Sequence, residues 1–276
     1  MGYKTIMVHL ELSSTNDGLL QIAGDLAARL HADVIGIAGC QPVQLAYGDT
    51  YFSGDLVVAD RTEIEKELQQ AEANFRTVLT ARGVKAEWRS TICYQPLADF
   101  IAHEARAADL IITGPDIGGS IFDSTRRVSM ADLVMEAGRP VLIVPQKVKT
   151  MNLDHVVVGW KGSRESRRVI VDALPLLKLA GNVTVLEIVP EADLPRATDN
   201  LADVTRWLKR HGISASSDAV AAKGEDSSRL SELAREKGAD LIVAGAYGHS
   251  RVREWVLGGV TNDFLLNPDR CVLVSH

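Results

Sequence analysis

Short apolar runs of strand length alternate along this chain with segments whose apolar residues recur every three or four positions. In the first half, the short runs predict strands at 3–10, 33–39, 84–93, 109–113 and 139–144. The segments between them predict helices at 16–31, 60–82, 96–107 and 124–137. This alternation indicates an α/β fold with a parallel sheet that is covered by helices on both faces.

The second half repeats this order of elements. Its apolar runs predict strands at 155–160, 182–189, 213–222, 240–244 and 270–275. Its helical segments lie at 164–179, 199–211 and 226–237, and a further helical pattern begins at Val252. The pattern therefore predicts one structural unit that is used twice.

Direct letter matches support this duplication. The run ADLIITG at 108–114 matches ADLIVAG at 239–245 with a shift of 131 residues. Near the start of each half the shift is 149, which places 18 additional residues in the first half, best at 43–60. Asp60 and Glu63 then predict the N-terminal cap of the following helix. We expect two domains, at 1–146 and 153–276.

Glycines with a particular spacing follow the apolar run at 240–244. Gly245, Gly248 and Gly258 are separated by two and nine residues, and Gly259 follows directly. Glycine allows positive φ and a close approach of backbone N–H groups to an anion, and a helix N-terminus adds further donors. Strand, glycine turn and helix together predict an anion-binding loop. Ordinary turn glycines at the end of a parallel strand are the alternative interpretation.

The spacing Gly245-x2-Gly248-x9-Gly258 resembles the nucleotide-binding signature of the universal stress proteins, in which Ser or Thr follows the last glycine. Here Gly259 takes that place. The segments AYGHS and LGGVT are also similar to those of tandem two-domain bacterial members. The resemblance implies two tandem, doubly wound, Rossmann-like domains, each with a five-stranded parallel sheet in the order 3-2-1-4-5. Ligands of such sheets lie at the carboxyl ends of the strands, where the strand order reverses.

The resemblance also implies an adenine-nucleotide site in the second half. Phosphate and ribose contacts, largely through backbone N–H groups, fall on these positions: Gly245, Gly248, Gly258, Gly259 and Val260. Three further candidates lie beside them: His249, Ser250 and Thr261. His249 would donate to a phosphate or simply lie at the turn, and Ser250 is also a good N-cap residue. Thr261 would replace the missing hydroxyl of position 259.

Two candidates lie on other strands of the second half. Ile188 matches the position whose backbone meets the adenine edge, and it is equally suited to be a core residue of its strand. Lys161 stands where many family members have Asp at the end of the first strand. A lysine there would meet a phosphate as a point charge. The alternative is a solvated loop lysine.

The first half does not carry the signature. At the shift of 131, Ile117 stands opposite Gly248 and Arg127 stands opposite Gly258. We therefore expect a degenerate domain that supplies surface and stability, with the alternative that its altered cleft at 115–120 binds something else. Because the family commonly dimerises through the last strand, we expect the last strands of the two halves to pair as an internal pseudo-dimer. A homodimer is a further alternative.

Composition limits the partners. The 276 residues are 46% hydrophobic and carry a net charge of −6 at pH 7, so no nucleic-acid partner is predicted. No apolar run approaches the roughly 20 residues that a membrane helix needs, and no secretory leader is recognised. Cys40, Cys93 and Cys271 are far apart and are interpreted as reduced thiols. We expect a cytoplasmic chain without a membrane partner or a metal site.

Three hypotheses for the function follow. The first is a stress-response protein that binds ATP or another adenine nucleotide, with or without Mg²⁺, and so regulates an unidentified protein partner. The second is an interaction module of the same fold that binds no nucleotide. The third, an enzyme such as an ATP pyrophosphatase, is least favoured because WKGS at 160–163 does not supply the phosphate loop of that group. No catalytic residues are predicted, although slow ATP hydrolysis stays open.

Overall fold

A computed structural model describes residues 2–12, 14–42, 54–116, 127–223, 226–246, 266 and 268–276. The strands of its first half are β1 (Thr5–His9), β2 (Asp33–Cys40), β3 (Ala86–Ile92), β4 (Leu110–Thr113) and β5 (Val141–Ile143). The helices of this half are α1 (Asp17–Leu30), α2 (Gly54–Thr80), α3 (Leu97–Glu104) and α4 (Met130–Glu136). Strands and helices alternate as the apolar pattern predicts.

The second half has the same construction. Its strands are β6 (His155–Trp160), β7 (Asn182–Val189), β8 (Ala215–Ala221), β9 (Leu241–Gly245) and β10 (Cys271–Ser275). Its helices are α5 (Arg164–Asp172), α6 (Leu174–Leu177), α7 (Leu194–Arg210) and α8 (Asp226–Glu236). The helix that the sequence predicts after Val252 lies outside the described residues.

The strands form one sheet in the order β3-β2-β1-β4-β5-β10-β9-β6-β7-β8. Each half therefore has the predicted order 3-2-1-4-5, but the two sheets are joined into one of ten strands. The junction is an antiparallel pair in which Leu142 of β5 lies opposite Leu273 of β10. This pairing confirms the prediction for the last strands. Because it is antiparallel, the carboxyl ends of the two halves lie at opposite edges of the sheet.

Each face of the sheet carries a core that both halves share. On one face, Leu20 and Ile22 of α1 belong to the same cluster as Val169 of α5 and Leu201 of α7. The other face is covered by α3, α4 and α8, which contribute Ile101, Leu133 and Leu233 to a second cluster. The burial of apolar surface is the main stabilising contribution in folding. The two halves therefore stabilise each other as well as themselves.

The repeated Ala-Asp-Leu motif has a structural cause. Asp109 precedes β4, and its carboxylate accepts hydrogen bonds from the backbone N–H groups of Lys4 and Thr5 at 2.7 and 3.0 Å. Asp240 precedes β9 and accepts from Asp154 and His155 in the same way, at 2.7 and 3.3 Å. In both halves this aspartate satisfies the backbone donors at the start of the first strand.

Four helix boundaries differ from the sequence prediction. The helix predicted at 124–137 begins at Met130, because the hydroxyl of Ser129 accepts from the backbone N–H of Asp132 and caps the helix there. The predicted cap at Asp60 is wrong, because α2 already runs from Gly54 and Asp60 lies inside the helix. No proline interrupts 54–60, so the helical pattern continues through the inserted residues. The helix predicted at 164–179 is divided at Ala173, and Pro175 lies in the first turn of α6. α7 begins at Leu194, five residues earlier than expected, because Pro195 is favourable in a first helical turn.

The buried His9 makes the stability of the fold depend on pH. This residue is 4% exposed, its Nδ1 lies 2.9 Å from Thr113 Oγ1, and burial lowers its pKa to about 4. Because the folded pKa lies below the unfolded value, the stability is complete above about pH 6.5 and is lost as the pH falls towards 4. For His9 alone the free energy of unfolding should decrease by about 2 kcal/mol between pH 7 and 5.

The matching variant is His9→Asn, which keeps a polar atom near the position of Nδ1. Urea unfolding of both proteins at pH 7 and 5 measures the difference, because carboxyl titrations are common to both. We expect a smaller loss of stability for the variant between these two pH values. Equal losses would contradict a neutral, buried imidazole in the wild-type protein.

Candidate functional site

The strand order of the second half reverses at β6, which pairs with β7 on one side and with β9 on the other. Gly159 lies opposite Ala244, and Trp160 lies opposite Glu187. The carboxyl ends of these three strands therefore meet at one edge of the sheet. Lys161 follows β6, Ile188 lies near the end of β7 and Gly245 ends β9. The fold thus brings these three sequence-predicted residues to the same edge.

The other predicted contacts follow β9 in the chain. Seven of these positions lie outside the described residues: Gly248, His249, Ser250, Gly258, Gly259, Val260 and Thr261. The described segment ends with Ala246, whose backbone N–H donates to Ser275 O of β10 at 2.9 Å. The assignment of all ten site residues to a ligand stays a prediction.

Gly245 is required for helix packing. A Cβ at this position would lie 2.7 Å from the carbonyl carbon of Glu165 and 2.9 Å from the backbone nitrogen of Ser166. Both atoms belong to the first turn of α5, which therefore rests directly on the end of β9. This is a second role for the first glycine of the motif. Close approach of two backbones is a common reason for a glycine at such a position.

The turn from β6 into α5 is held by its own polar groups. Ser163 is the N-cap residue, and its hydroxyl accepts from the backbone N–H of Ser166 at 3.2 Å. The Ser166 hydroxyl in turn accepts from the backbone N–H of Lys161 at 3.2 Å. Gly162 has a φ of 60°, a conformation that favours glycine. These contacts fix the backbone from which the exposed Lys161 side chain extends.

Ile188 extends beyond the paired part of β6. The register between β6 and β7 ends at Trp160 and Glu187, whereas β7 continues to Val189. Ile188 is half-buried and packs against the core below α8. The backbone of Ile188 on the side that faces β6 therefore has no paired β6 residue opposite it. This position suits a contact between backbone and a planar base, and it agrees equally with the alternative of a core residue.

Glu187 is a residue that the sequence interpretation passed over. Its Oε2 atom is buried and has no hydrogen-bond partner among the described residues, and burial raises the pKa of this carboxyl group. It lies at the reversal edge, in register with Trp160. The available signal was a charged residue near the carboxyl end of the apolar run NVTVLEIV. Charged residues are seldom buried without a partner.

Cations surround the start of α5. Lys161, Arg164 and Arg167 are exposed, and Arg167 donates to the carbonyl of Gly162 at 2.7 Å. Arg164 Nε lies 3.0 Å from the buried Glu165 carboxylate. The helix N-terminus adds the positive end of its dipole to these charges. The arrangement can attract and hold an anionic ligand.

The corresponding edge of the first half has a carboxyl group in place of the lysine. Glu11 follows β1 as Lys161 follows β6, and it lines a small cleft together with Ser14 and Gln146. Gln146 Nε2 donates to Ser14 Oγ at 3.2 Å, so these side chains contact each other across the cleft. Burial raises the pKa of Glu11 and of the nearby Asp116. The positive charge of Arg127 acts on the pKa of both carboxyl groups in the opposite direction and favours their ionised forms.

Two further observations apply to the part of the chain that the structure describes. Within these residues, no group of three or more His, Cys, Asp or Glu side chains could hold a metal ion. None of the described helices is both long enough and apolar enough to span a bilayer.

Comparison with known proteins finds one family model that is similar to the second half. The model of the universal stress protein family matches residues 152–276. No curated protein matches the chain. A universal stress protein from Archaeoglobus fulgidus has a similar structure, with a TM-score of 0.76, 16% identity, and coverage of 98% of this chain and 97% of that one.

Two structures from Pseudomonas aeruginosa are also similar over the whole chain. A putative universal stress protein has a TM-score of 0.60 and 16% identity, and the match covers 99% of this chain and 93% of the other. A functionally unknown protein has a TM-score of 0.61 and 14% identity, with coverage of 99% and 92%. At these identities the likeness shows a shared two-unit fold.

The packing of Gly245 gives a test with a built-in control. Gly245→Ala should lower the free energy of unfolding by roughly 1–3 kcal/mol, because its Cβ would collide with backbone atoms. Gly114 occupies the equivalent position in the first half, and a Cβ there meets no atom within 4 Å. Gly114→Ala should therefore change the stability by less than about 0.5 kcal/mol. Urea unfolding measures both, and equal effects would contradict the close contact with α5.

Proposed function

Because residues 152–276 match the universal stress protein family, we propose that the second half of this chain binds ATP or another adenine nucleotide. The bound state would regulate an interaction with a protein partner. The observation that carries this proposal is the meeting of Lys161, Ile188 and Gly245 at the reversal edge, where Gly245 begins the glycine motif. This edge is where a doubly wound sheet binds its ligands.

The chemistry of this edge suits each part of a nucleotide. The backbone of Ile188 would meet the adenine, and the glycine motif would supply N–H donors to the ribose and phosphates. Gly259 lacks a hydroxyl but keeps its backbone N–H. Lys161 would meet the β and γ phosphates as a point charge. Mg²⁺ would accompany a triphosphate as an ion bound mainly by phosphate oxygens and water.

The first half would bind no nucleotide. Glu11 places a carboxylate at the position of Lys161, and Ile117 and Arg127 stand in place of two motif glycines. We propose the division at 1–146 and 153–276 on the same grounds, with the first domain acting as a stabilising partner. Nothing in this proposal requires the protein to act as an enzyme.

A second candidate function rests on the two departures from the family motif. Lys161 and Gly259 would then mark a site that has lost its ligand, and the protein would act only through its surfaces. The two functions differ in one property that can be measured directly, which is the affinity for adenine nucleotides.

The glycine motif can be tested by Gly258→Val. A branched side chain would occupy the space in which the phosphates approach the backbone, so ATP binding should be lost while the far-ultraviolet circular dichroism stays unchanged. Isothermal titration of the wild-type protein should give about one site per chain. Gly114→Val is the matched control in the first half, because that position is open, and it should leave ATP binding intact.

Either of two results would contradict the proposal. If a folded Gly258→Val variant binds ATP like the wild type, the glycines of the motif are ordinary turn residues and do not bind the phosphates. Two equivalent sites in the wild-type titration would show that the first half also binds.

Lys161→Ala tests the contact with the outer phosphates. Loss of one point charge near the β and γ phosphates should weaken ATP binding roughly 5- to 20-fold and leave AMP binding unchanged. Arg164→Ala removes a neighbouring exposed cation and serves as the control. An equal loss of ATP affinity in both variants would indicate a general effect of positive charge. An equal loss of AMP affinity in Lys161→Ala would place this lysine elsewhere on the ligand.

A further inference from the structure

Helix α5 touches the candidate site at one end and the first half of the chain at the other. Its first turn lies against Gly245, as the close approach of Glu165 and Ser166 shows. Its last residue, Asp172, accepts a hydrogen bond at its carbonyl oxygen from the Tyr3 hydroxyl, at 2.6 Å. Tyr3 belongs to the first half and is 5% exposed. The nine-residue helix α5 therefore connects Gly245 at the candidate site with Tyr3 of the first half.

The Asp172 side chain makes a second connection. Its Oδ2 atom accepts from the Ser275 hydroxyl at 2.6 Å. Ser275 lies in register with Gly245 at the end of β10, and its carbonyl accepts from the Ala246 N–H at 2.9 Å. Ser275 thus lies beside Gly245 and bonds to Ala246, and the chain continues from these two residues into the rest of the glycine motif. Tyr3, Asp172, Ser275 and Ala246 form one unbroken series of hydrogen bonds and adjoining residues.

The topology explains why Tyr3 reaches this place. Because β5 and β10 are antiparallel, the amino ends of the first-half strands lie along the same edge as the carboxyl ends of the second-half strands. Tyr3 precedes β1 at this edge. Ser275 is 2% exposed, so water does not readily replace its partner. A buried hydroxyl group is costly to leave without its hydrogen-bond partner.

We propose that Tyr3 and Asp172 are positioning residues for the nucleotide site. They hold α5 and the end of β10 and thereby fix the positions of Gly245 and Ala246, from which the chain continues into the glycine motif. This inference rests on the proposed function for its ligand, and it adds that the first half contributes to affinity without touching the nucleotide. By linkage, nucleotide binding would strengthen the contact between Tyr3 and Asp172 to the same degree.

The first experiment measures ATP affinity by isothermal titration of the full chain. Tyr3→Phe removes only the hydroxyl and should weaken ATP binding roughly 3- to 10-fold. Ser275→Ala should have a similar effect. The double variant should lose less than the product of the two factors, because both changes act through Asp172.

Arg29→Gln is the matched control for general weakening between the halves. Arg29 donates to the carbonyl groups of Asn152 and Leu179 at 3.2 and 3.4 Å, so it also joins the two halves but does not involve α5. We expect its ATP affinity to equal that of the wild type. A loss as large as that of Tyr3→Phe, or fully independent effects of Tyr3→Phe and Ser275→Ala, would overturn the inference.

The second experiment needs no ligand and follows amide hydrogen exchange. Tyr3→Phe should speed exchange at Ala246, whose N–H is bonded to Ser275, and leave Val144 unchanged. The Val144 N–H donates to Thr113 O at 2.9 Å at the opposite edge, where it joins the last two strands of the first half. Unchanged exchange at Ala246 would overturn the inference whether or not ATP binds. If Tyr3→Phe speeds exchange at Ala246 but the protein binds no ATP, the structural coupling between Tyr3 and Ala246 is supported and the proposed function is refuted.

Discussion

The antiparallel pairing of β5 with β10 joins the two halves into one sheet and sets how each half faces the other. It involves only three residue pairs, Val141 with Val274, Leu142 with Leu273 and Ile143 with Val272. Through it, two apolar strands that would each be an exposed edge cover one another. The ten strands then share one core on each face, and the two carboxyl edges are forced to opposite sides of the sheet. The amino ends of the first-half strands therefore lie along the same edge of the sheet as the candidate site of the second half.

Duplication of one unit has been followed by divergence at the reversal edges. His9 is buried at the register position where the second half has Gly159, and Glu11 stands where the second half has Lys161. Gly114 is open, whereas Gly245 is pressed against α5. The residues that support the fold, such as Asp109 and Asp240, have kept identical roles. The framework is therefore conserved between the halves of this chain, and the chemistry of the two edges is not.

Apolar periodicity and the internal repeat were sufficient to predict the alternation of strands and helices and the duplication, and the strand order and the pairing of the last strands followed from the resemblance to the universal stress proteins. The sequence was also sufficient to bring Lys161, Ile188 and Gly245 to one edge. It did not predict the early start of α2, since a capping pattern such as Asp60 and Glu63 also occurs inside helices. The bond between Tyr3 and Asp172 joins residues 169 positions apart. No local pattern specifies such a contact, because it follows from the antiparallel junction.

In the proposed function, this chain carries one adenine nucleotide, in its second half. Native mass spectrometry of the gently purified full chain measures this occupancy, because a retained ligand appears as an added mass on the intact protein. We expect the mass of one adenine nucleotide per chain, and we expect it to be absent after denaturation. A chain that shows no added mass, and still shows none after incubation with excess ATP, would contradict the account and favour an interaction module.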